Sequence, residues 1–259
     1  MMDIFEQLAP TATEDHGSSG EMKKAQYMLQ LLGTPWDADT LKCLIAAAEQ
    51  GMEMYSGYLD VLSNEQDTES YRSIFEFGTY PGLKEADYNI AGSTGILAFV
   101  NARGLGFSLT PKNVVEAATQ NFWIDFAVTE ATPHINTLVQ ENIVKQMVDA
   151  SYSQDSVAID QARSNLEPIL NALNKQLTGN QYVIGKYTFA DVHWTALIHL
   201  LCLTGSQDLV EQLPEISRWY KSLAGRKSNC GQDIISFSLL PSLEDIKNKQ
   251  LSSVIIKDF

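Results

Sequence analysis

The sequence predicts an α/β half followed by an all-α half, and three observations support this division. In the first half, short apolar runs alternate with stretches of helical spacing, whereas the second half has helical spacing throughout. Gly104 and Gly106 lie between the two halves. Helices interleaved with strands predict a mixed sheet covered on both faces. We therefore expect domains at 25–103 and 111–226, joined by a linker at 104–110.

The first half has the order strand, helix, strand, helix, hairpin, helix. An apolar run closed by Gly-Thr-Pro predicts the first strand, and apolar residues at helical spacing predict the helix after it. Ser93 is a favourable N-cap for the last helix. The predicted elements are a strand at 27–32, a helix at 40–50, a strand at 52–61, a helix at 71–77, a hairpin at 83–90 and a helix at 96–100.

The second half and the two ends of the chain have different textures. Long amphipathic stretches predict helices at 112–148, 155–178, 188–204 and 214–224. Residues 1–24 are polar and crowded with Thr, Ser and Gly, which predicts a flexible leader. Residues 227–259 form a C-terminal extension. Within this extension, the apolar stretches 234–240 and 254–256 are expected to dock on the body of the protein.

Composition and charge narrow the classes of partner. The chain has 259 residues, of which 44% are hydrophobic and 19% charged, as is usual for a globular protein. Its formal net charge is −14. Such a surface repels phosphate backbones and anionic lipid headgroups over about 8 Å at physiological salt. We therefore expect no direct binding to nucleic acid, while a protein partner stays open.

Cysteines, histidines and hydropathy bear on location and metal binding. Cys43, Cys202 and Cys230 are far apart and form no C-x-x-C motif, so neither a disulfide scaffold nor a zinc site is predicted. His193 and His199 do not have the spacing of metal ligands, and we expect no metal. The chain has no secretory signal and no apolar run of about 20 residues. These features predict a cytoplasmic protein that does not enter a membrane.

The sharpest motif is a capping box at Thr188 and Asp191. In such a box, each of the two side chains pairs with a backbone N–H of the first helical turn. A Tyr-Val-Ile-Gly stretch precedes it, and Leu-Pro-Glu-Ile-Ser-Arg-Trp follows at 213–219. This combination resembles the C-terminal helical domain of the glutathione S-transferase superfamily, in which the box starts the central buried helix. The box is accordingly predicted to be structural.

The N-terminal half agrees with that resemblance in order and spacing. The stretch 33–51 resembles the first strand end, active-site loop and first helix of the family's thioredoxin-like domain. Tyr80-Pro81 resembles the family's dipeptide with a cis proline, whose backbone pairs with the cysteinyl part of glutathione. Gly92-Ser93 resembles the pair that holds the γ-glutamyl end. The resemblance implies a thioredoxin-like domain packed on a helical domain, glutathione as co-substrate beside a second small-molecule ligand, and a homodimer.

Two positions depart from the family's pattern. Asp37 stands where the family places a catalytic Ser or Cys, and an ionised carboxylate there accepts hydrogen bonds and repels a thiolate. Gly92 stands where the family has an acidic residue that binds the α-amino group of glutathione. The same loop offers other hydrogen-bond donors that could act on the sulfur. These alternatives to Asp37 are Thr34, Trp36 and Thr40.

A looser resemblance leaves a second function open. The stretches 36–48 and 122–127 are similar to the first helices of the two domains in the glutathione S-transferase-like part of translation elongation factor 1-gamma. Similar domains in synthetase complexes hold assemblies together without sulfur chemistry. The sequence thus favours two functions, which the residues alone do not separate. One is a glutathione-binding transferase acting weakly on electrophilic or hydrophobic molecules, and the other is a non-catalytic interaction module.

Overall fold

The chain divides into two compact units. The structure, a computed structural model, describes residues 29–85, 88–230 and 233–255. The predicted leader at 1–24 lies outside these residues. The first unit contains the described residues up to Gly106 and those from Ser228 onward, and the second unit contains Phe107–Lys227. Two separate stretches of sequence therefore build the first unit.

The first unit is built on a mixed four-stranded sheet in the order β2-β1-β3-β4. The pair β1–β2 is parallel, with Leu29 opposite Met54, and the other two pairs are antiparallel. The strands are β1 (Leu29–Gly33), β2 (Met54–Tyr58), β3 (Gly82–Glu85) and β4 (Tyr88–Ala91). This is the thioredoxin-like sheet that the sequence predicted.

The described residues before Gly106 form three helices beside this sheet, and two predicted elements are shorter than expected. The helices are α1 (Ala38–Glu49), α2 (Glu69–Arg72) and α3 (Ser93–Arg103). The strand predicted at 52–61 ends at Tyr58, because the Asp60 side chain accepts the backbone N–H of Ser63 and starts a 3₁₀ turn. The helix predicted at 71–77 corresponds to α2, which starts two residues earlier, after the Thr68 cap, and already ends at Arg72.

The start of α3 corrects one prediction. Ser93 is the first residue of the helix and not its N-cap; the N-cap is Gly92, with a φ of 81°. A backbone of this kind lies in the left-handed region, which glycine adopts without the steric cost of a Cβ. No side chain caps the first turn of α3. The helix therefore begins with backbone N–H groups that no capping side chain occupies.

The described part of the second unit has no strands, as predicted. Its helices are α4 (Val114–Phe126), α5 (Thr132–Val139), α6 (Lys145–Val148), α7 (Ser156–Leu177), α8 (Phe189–Leu201), α9 (Asp208–Glu211) and α10 (Pro214–Leu223). Almost every residue of α8 is buried. Trp194 on α8 is fully buried and donates its indole N–H to the Trp123 carbonyl at 3.2 Å. Among the described residues, no helix is long and apolar enough to span a membrane.

The C-terminal segment, residues 233–255, packs within the first unit. It contains a short 3₁₀ turn and α11 (Leu243–Lys247). Val254 exchanges two backbone hydrogen bonds with Met54 on β2, at 2.8 and 2.9 Å. The hydroxyl of Ser253 accepts the Ser56 N–H at 2.9 Å. The segment thus covers the outer edge of the sheet.

Glu49 at the end of α1 binds Asn229 and the C-terminal segment by hydrogen bonds. Its carboxylate is fully buried and accepts the Asn229 N–H at 2.9 Å and the Ser236 hydroxyl at 2.5 Å. The predicted docking of the C-terminal stretches is therefore confirmed for Ser236 and Val254, which are buried. Ile255 is half exposed, and Ile256 lies outside the described residues.

Candidate functional site

The loop from β1 to α1 fixes one oxygen of Asp37, whereas the other oxygen has no hydrogen bond to a described residue. Asp37 is the N-cap of α1, and its Oδ2 accepts the Thr40 N–H at 2.9 Å and the Thr40 hydroxyl at 2.7 Å. The Thr40 hydroxyl in turn accepts the Thr34 N–H at 3.3 Å. Capping by Asp at this position satisfies donors that the first helical turn leaves open. Asp37 therefore has a structural reason to be in this loop, whatever else it does.

The three alternative donors in this loop are less accessible than Asp37. Thr34 and Thr40 are fully buried, and Trp36 is 5% exposed. The Thr40 hydroxyl proton is used by Asp37. The Trp36 ring packs against that of Tyr58, with the ring centres 5.8 Å apart. Of the four loop residues that the sequence analysis named, Asp37 alone is partly exposed.

One negative and one positive side chain, Asp39 and Lys42, act on the charge of Asp37. Burial raises the pKa of Asp37 from its ordinary value of 3.8 to about 6, and nearby Asp39 raises it further against the hydrogen bonds from Thr40 and the charge of Lys42. Asp39 is ion-paired with the buried Lys42 at 2.7 Å. Burial, Asp37 and Asp39 also raise the pKa of the Tyr80 phenol. An anionic sulfur at this place would therefore meet an unfavourable field whenever Asp37 is ionised.

A second loop brings Tyr80, Pro81, Gly92 and Ser93 together. The Tyr80–Pro81 peptide bond is cis, as the resemblance implied. The Pro81 carbonyl accepts the Gly92 N–H at 2.9 Å, which ties this loop to the start of α3. Asp37 is one cause of the raised pKa of the Tyr80 phenol, and both residues belong to the first unit. The first unit alone therefore collects the glutathione-site residues that the resemblance implied.

Gly92 has a backbone reason for being glycine. A Cβ there would meet only the Thr79 methyl group at 3.5 Å, an ordinary contact, so there is room for a side chain. However, an acidic residue could adopt the Gly92 φ of 81° only with strain. The missing acidic side chain is therefore coupled to the way α3 begins.

The capping box in the second unit is present and is fully buried. Asp191 Oδ2 accepts the Thr188 N–H at 3.0 Å, and Oδ1 accepts the Val183 N–H at 3.0 Å and the Trp219 indole N–H at 3.1 Å. Burial raises the pKa of Asp191 to about 6 against these hydrogen bonds. The carboxylate thus joins α8, the turn before it and α10. Sequence reasoning found the box but missed Trp219 as a partner, although this residue stands in the second half of the motif.

Metal-ligand geometry is absent from the part of the chain that the structure describes. No group of three or more His, Cys, Asp or Glu side chains there could hold a metal ion. Cys43, on α1 beside the candidate site, is fully buried, and burial raises the pKa of its thiol. A buried thiol of this kind is a poor nucleophile.

Asp37 should make the stability of the protein depend on pH. In the folded state the Asp37 carboxyl has a pKa of about 6, whereas an ordinary Asp carboxyl has a pKa of 3.8. The contribution of Asp37 to the free energy of unfolding is therefore largest below about pH 4 and is lost as the pH rises to about 6. Asp37→Asn removes this contribution and keeps an N-cap. In denaturant titrations, we expect the free energy of unfolding of the wild type minus that of the variant to fall over that range, by at most about 1.4 kcal/mol per pH unit.

Asp245 supplies the comparison for this titration. Hydrogen bonds from the Ser242 hydroxyl and N–H lower the pKa of Asp245, so its contribution is present at neutral pH and is lost on acidification. The free energy of unfolding of the wild type minus that of Asp245→Asn should therefore rise with pH over the acidic range, which is the opposite trend to that expected for Asp37. A stability difference between wild type and Asp37→Asn that stays constant from about pH 4 to 7 would contradict the raised pKa of Asp37.

Comparisons with known proteins agree with this architecture. A family model for the glutathione S-transferase C-terminal domain matches residues 141–228. Glutathione S-transferase F10 of Arabidopsis thaliana is 23% identical over 203 residues, which cover 77% of this chain and 94% of the relative. Elongation factor 1-gamma 1 of Oryza sativa subsp. japonica is 25% identical over 194 residues, covering 73% of this chain and 44% of that protein.

A solved structure extends the comparison to the whole fold. A glutathione transferase family member from Pseudomonas fluorescens, crystallised with two glutathione molecules bound, has a TM-score of 0.67 and is 16% identical. The match covers 86% of this chain and 94% of that one. Together these similarities confirm the resemblance to the glutathione S-transferase superfamily: the chain has its fold, and most of its helical unit matches the family's C-terminal domain.

Proposed function

We propose that the protein is a glutathione S-transferase-like protein that binds glutathione in its first unit and acts weakly on small electrophilic or hydrophobic molecules. The observation that carries this proposal is that Asp37, Tyr80-Pro81 and Gly92-Ser93 lie in one unit, where the Pro81 carbonyl accepts the Gly92 N–H. Relatives that align over most of this chain are named glutathione S-transferases, which supports glutathione as the ligand. The protein is proposed to work in the cytoplasm and as a homodimer.

The start of α3 is the proposed anchor for a glutathione carboxylate. A helix N-terminus carries a partial positive charge, and the first turn of α3 has no capping side chain that would compete for its N–H groups. The Ser93 hydroxyl adds a further donor. The backbone of Tyr80, in the adjoining loop, is proposed to pair with the cysteinyl part of the ligand. These contacts position the sulfur without activating it.

The interaction-module function is the second candidate, and Asp37 is the observation that favours it. A carboxylate at the sulfur position opposes thiolate formation, and Gly92 removes one anchor for the ligand. The similarity to elongation factor 1-gamma points the same way. A module of this kind needs no glutathione, whereas every catalytic version of the site does. Binding of glutathione therefore separates the two functions.

The test is calorimetric titration of glutathione into the wild-type protein and into Ser93→Asp. We expect the wild type to bind, and the variant to lose at least about tenfold in affinity, because a new carboxylate at the first position of α3 repels the carboxylate of the ligand. An acidic residue there interacts favourably with the helix dipole, so the fold should not weaken.

Ser156→Asp is the matched control for that variant. Ser156 is the first residue of α7 in the second unit, so the same substitution adds the same charge at the same helical position. We expect its glutathione affinity to equal that of the wild type. Absence of binding by the wild type would overturn the transferase proposal, and equal losses in both variants would show that α3 is not the anchor.

A further inference from the structure

We infer that Asp37 holds the bound sulfur as a neutral carboxylic acid, donating a hydrogen bond from Oδ1, so that binding of an anionic sulfur takes up one proton. The inference rests on the proposed function, because it assigns a role to Asp37 toward glutathione. At the position where the family has a hydroxyl or thiol, Asp37 supplies a donor that exists only when the carboxyl is protonated.

The hydrogen bonds of Asp37 determine which oxygen carries the proton. Oδ2 accepts two donors, the Thr40 N–H at 2.9 Å and the Thr40 hydroxyl at 2.7 Å. A protonated oxygen facing these donors would lose them, so the proton resides on Oδ1. Oδ1 makes no hydrogen bond to any described residue, and the residue is partly exposed. Protonation therefore leaves the helix cap intact and creates one donor that is free to meet a ligand.

The groups that face Asp37 determine the pH range in which its carboxyl is protonated and can donate. On α1 these are Asp39, Lys42, Thr40 and the Cys43 thiol, and from the second loop it is the Tyr80 phenol. Burial and Asp39 together favour the proton, which is consistent with a pKa of about 6. The phenol does not titrate between about pH 5 and 8, because burial and the two aspartates raise its pKa. Of the groups named here, Asp37 is the one that changes charge within that range.

The proton transfer that follows is balanced. When a thiol binds opposite the ionised carboxylate, the S–H bond breaks and an O–H bond forms on Oδ1, while the electron pair stays on sulfur. The product is a thiolate that accepts a hydrogen bond from the new carboxylic acid. The total charge of the pair is unchanged, so the step needs no other reactant. An anion that arrives without a proton must instead take one from solvent.

Two glutathione analogues separate this inference from general binding. Glutathione sulfonate is anionic at the sulfur position throughout the range, whereas S-methylglutathione is neutral there. By calorimetry, we expect the sulfonate affinity of the wild type to fall about tenfold for each pH unit above about 6, as uptake of one proton requires. The S-methylglutathione affinity should stay constant from about pH 5 to 8.

Variants of Asp37 and its neighbours test the assignment. In Asp37→Asn the side-chain amide is a permanent donor and Asn still caps α1, so sulfonate should bind about equally at pH 5 and 8. In Asp39→Asn the fall should persist but begin at lower pH, because Asp39 raises the pKa of Asp37. In Tyr80→Phe the fall should be unchanged, which excludes the phenol as its source.

Each contrary result has a defined meaning. A sulfonate affinity that is independent of pH, or a fall that survives in Asp37→Asn, overturns the role of Asp37 while S-methylglutathione binding leaves the proposed function standing. If the affinities for both analogues fall in parallel with rising pH, the role of Asp37 is also overturned, because binding of a neutral sulfur group should not depend on the protonation of Asp37. Failure of both analogues to bind at any pH overturns the proposed function together with this inference.

Discussion

Asp191→Ala is expected to lower the free energy of unfolding by about 3–5 kcal/mol. The substitution removes one carboxylate that three buried donors share: the backbone N–H groups of Val183 and Thr188 and the indole N–H of Trp219. An unpaired buried donor costs about 1–3 kcal/mol, and alanine offers none of them an acceptor. Loss of the cap at the start of α8 adds to this cost. The effect should appear as a lower urea midpoint with an unchanged m-value.

The second capping box of the chain provides the control for this substitution. Ser242 and Asp245 form the same box at the start of α11, but their hydrogen bonds lie at the surface. Asp245→Ala should therefore cost less than about 1 kcal/mol, because water replaces the lost acceptor. Equal losses in the two variants would mean that the burial of Asp191 and its contact with Trp219 contribute nothing.

Ile246→Ala is expected to lower the free energy of unfolding by about 2–4 kcal/mol, because it leaves a cavity at a fully buried position. Ile246 belongs to the C-terminal segment, whose packing within the first unit also involves Glu49 and Val254. Loosening that packing exposes apolar surface of the first unit to water. Urea titration measures the loss.

Leu243 is the matched position for this substitution. It lies on the same short helix, one turn earlier, and is 37% exposed. Leu243→Ala removes a comparable side chain but little buried surface, so we expect a cost below about 1 kcal/mol. A neutral Ile246→Ala, or a larger cost for Leu243→Ala, would show that the C-terminal segment does not pack on the first unit as described.

The periodicity of apolar residues and the positions of Gly and Pro were enough to predict an α/β unit followed by a helical unit. Alternating short runs predicted the mixed sheet, and uniform helical spacing predicted the helical unit, because each pattern follows from burying one face of an element. The ends of elements were less accurate. Ser93 has the side chain of an N-cap, yet the positive φ of Gly92 makes glycine the cap, and one sequence does not display a backbone angle. Likewise, Asp60 ends β2 through a local hydrogen bond that competes with the strand.

The candidate site was predictable where its residues are close in sequence. The resemblance to the family pointed to the loop around Asp37 and to the Tyr80-Pro81 dipeptide, and the box at Thr188 and Asp191 has a local signature. Trp219 lies 28 residues from Asp191, and Ser253 lies 197 residues from Ser56. No periodicity connects positions so far apart. For the same reason, the position of Lys249 above the Tyr58 ring, at 5.2 Å, had no signal in the sequence.

The backbone pairing between Met54 and Val254 can form only late in the synthesis of the protein. The ribosome produces β2 early, then the whole second unit, and only afterwards the residues that pair with the outer edge of β2. Until then, the nascent first unit presents an open strand edge, which is a template for pairing with other chains. At this edge of β2 the risk of aggregation is therefore greater during synthesis than in the finished protein, and slow translation of the last residues would lengthen that period.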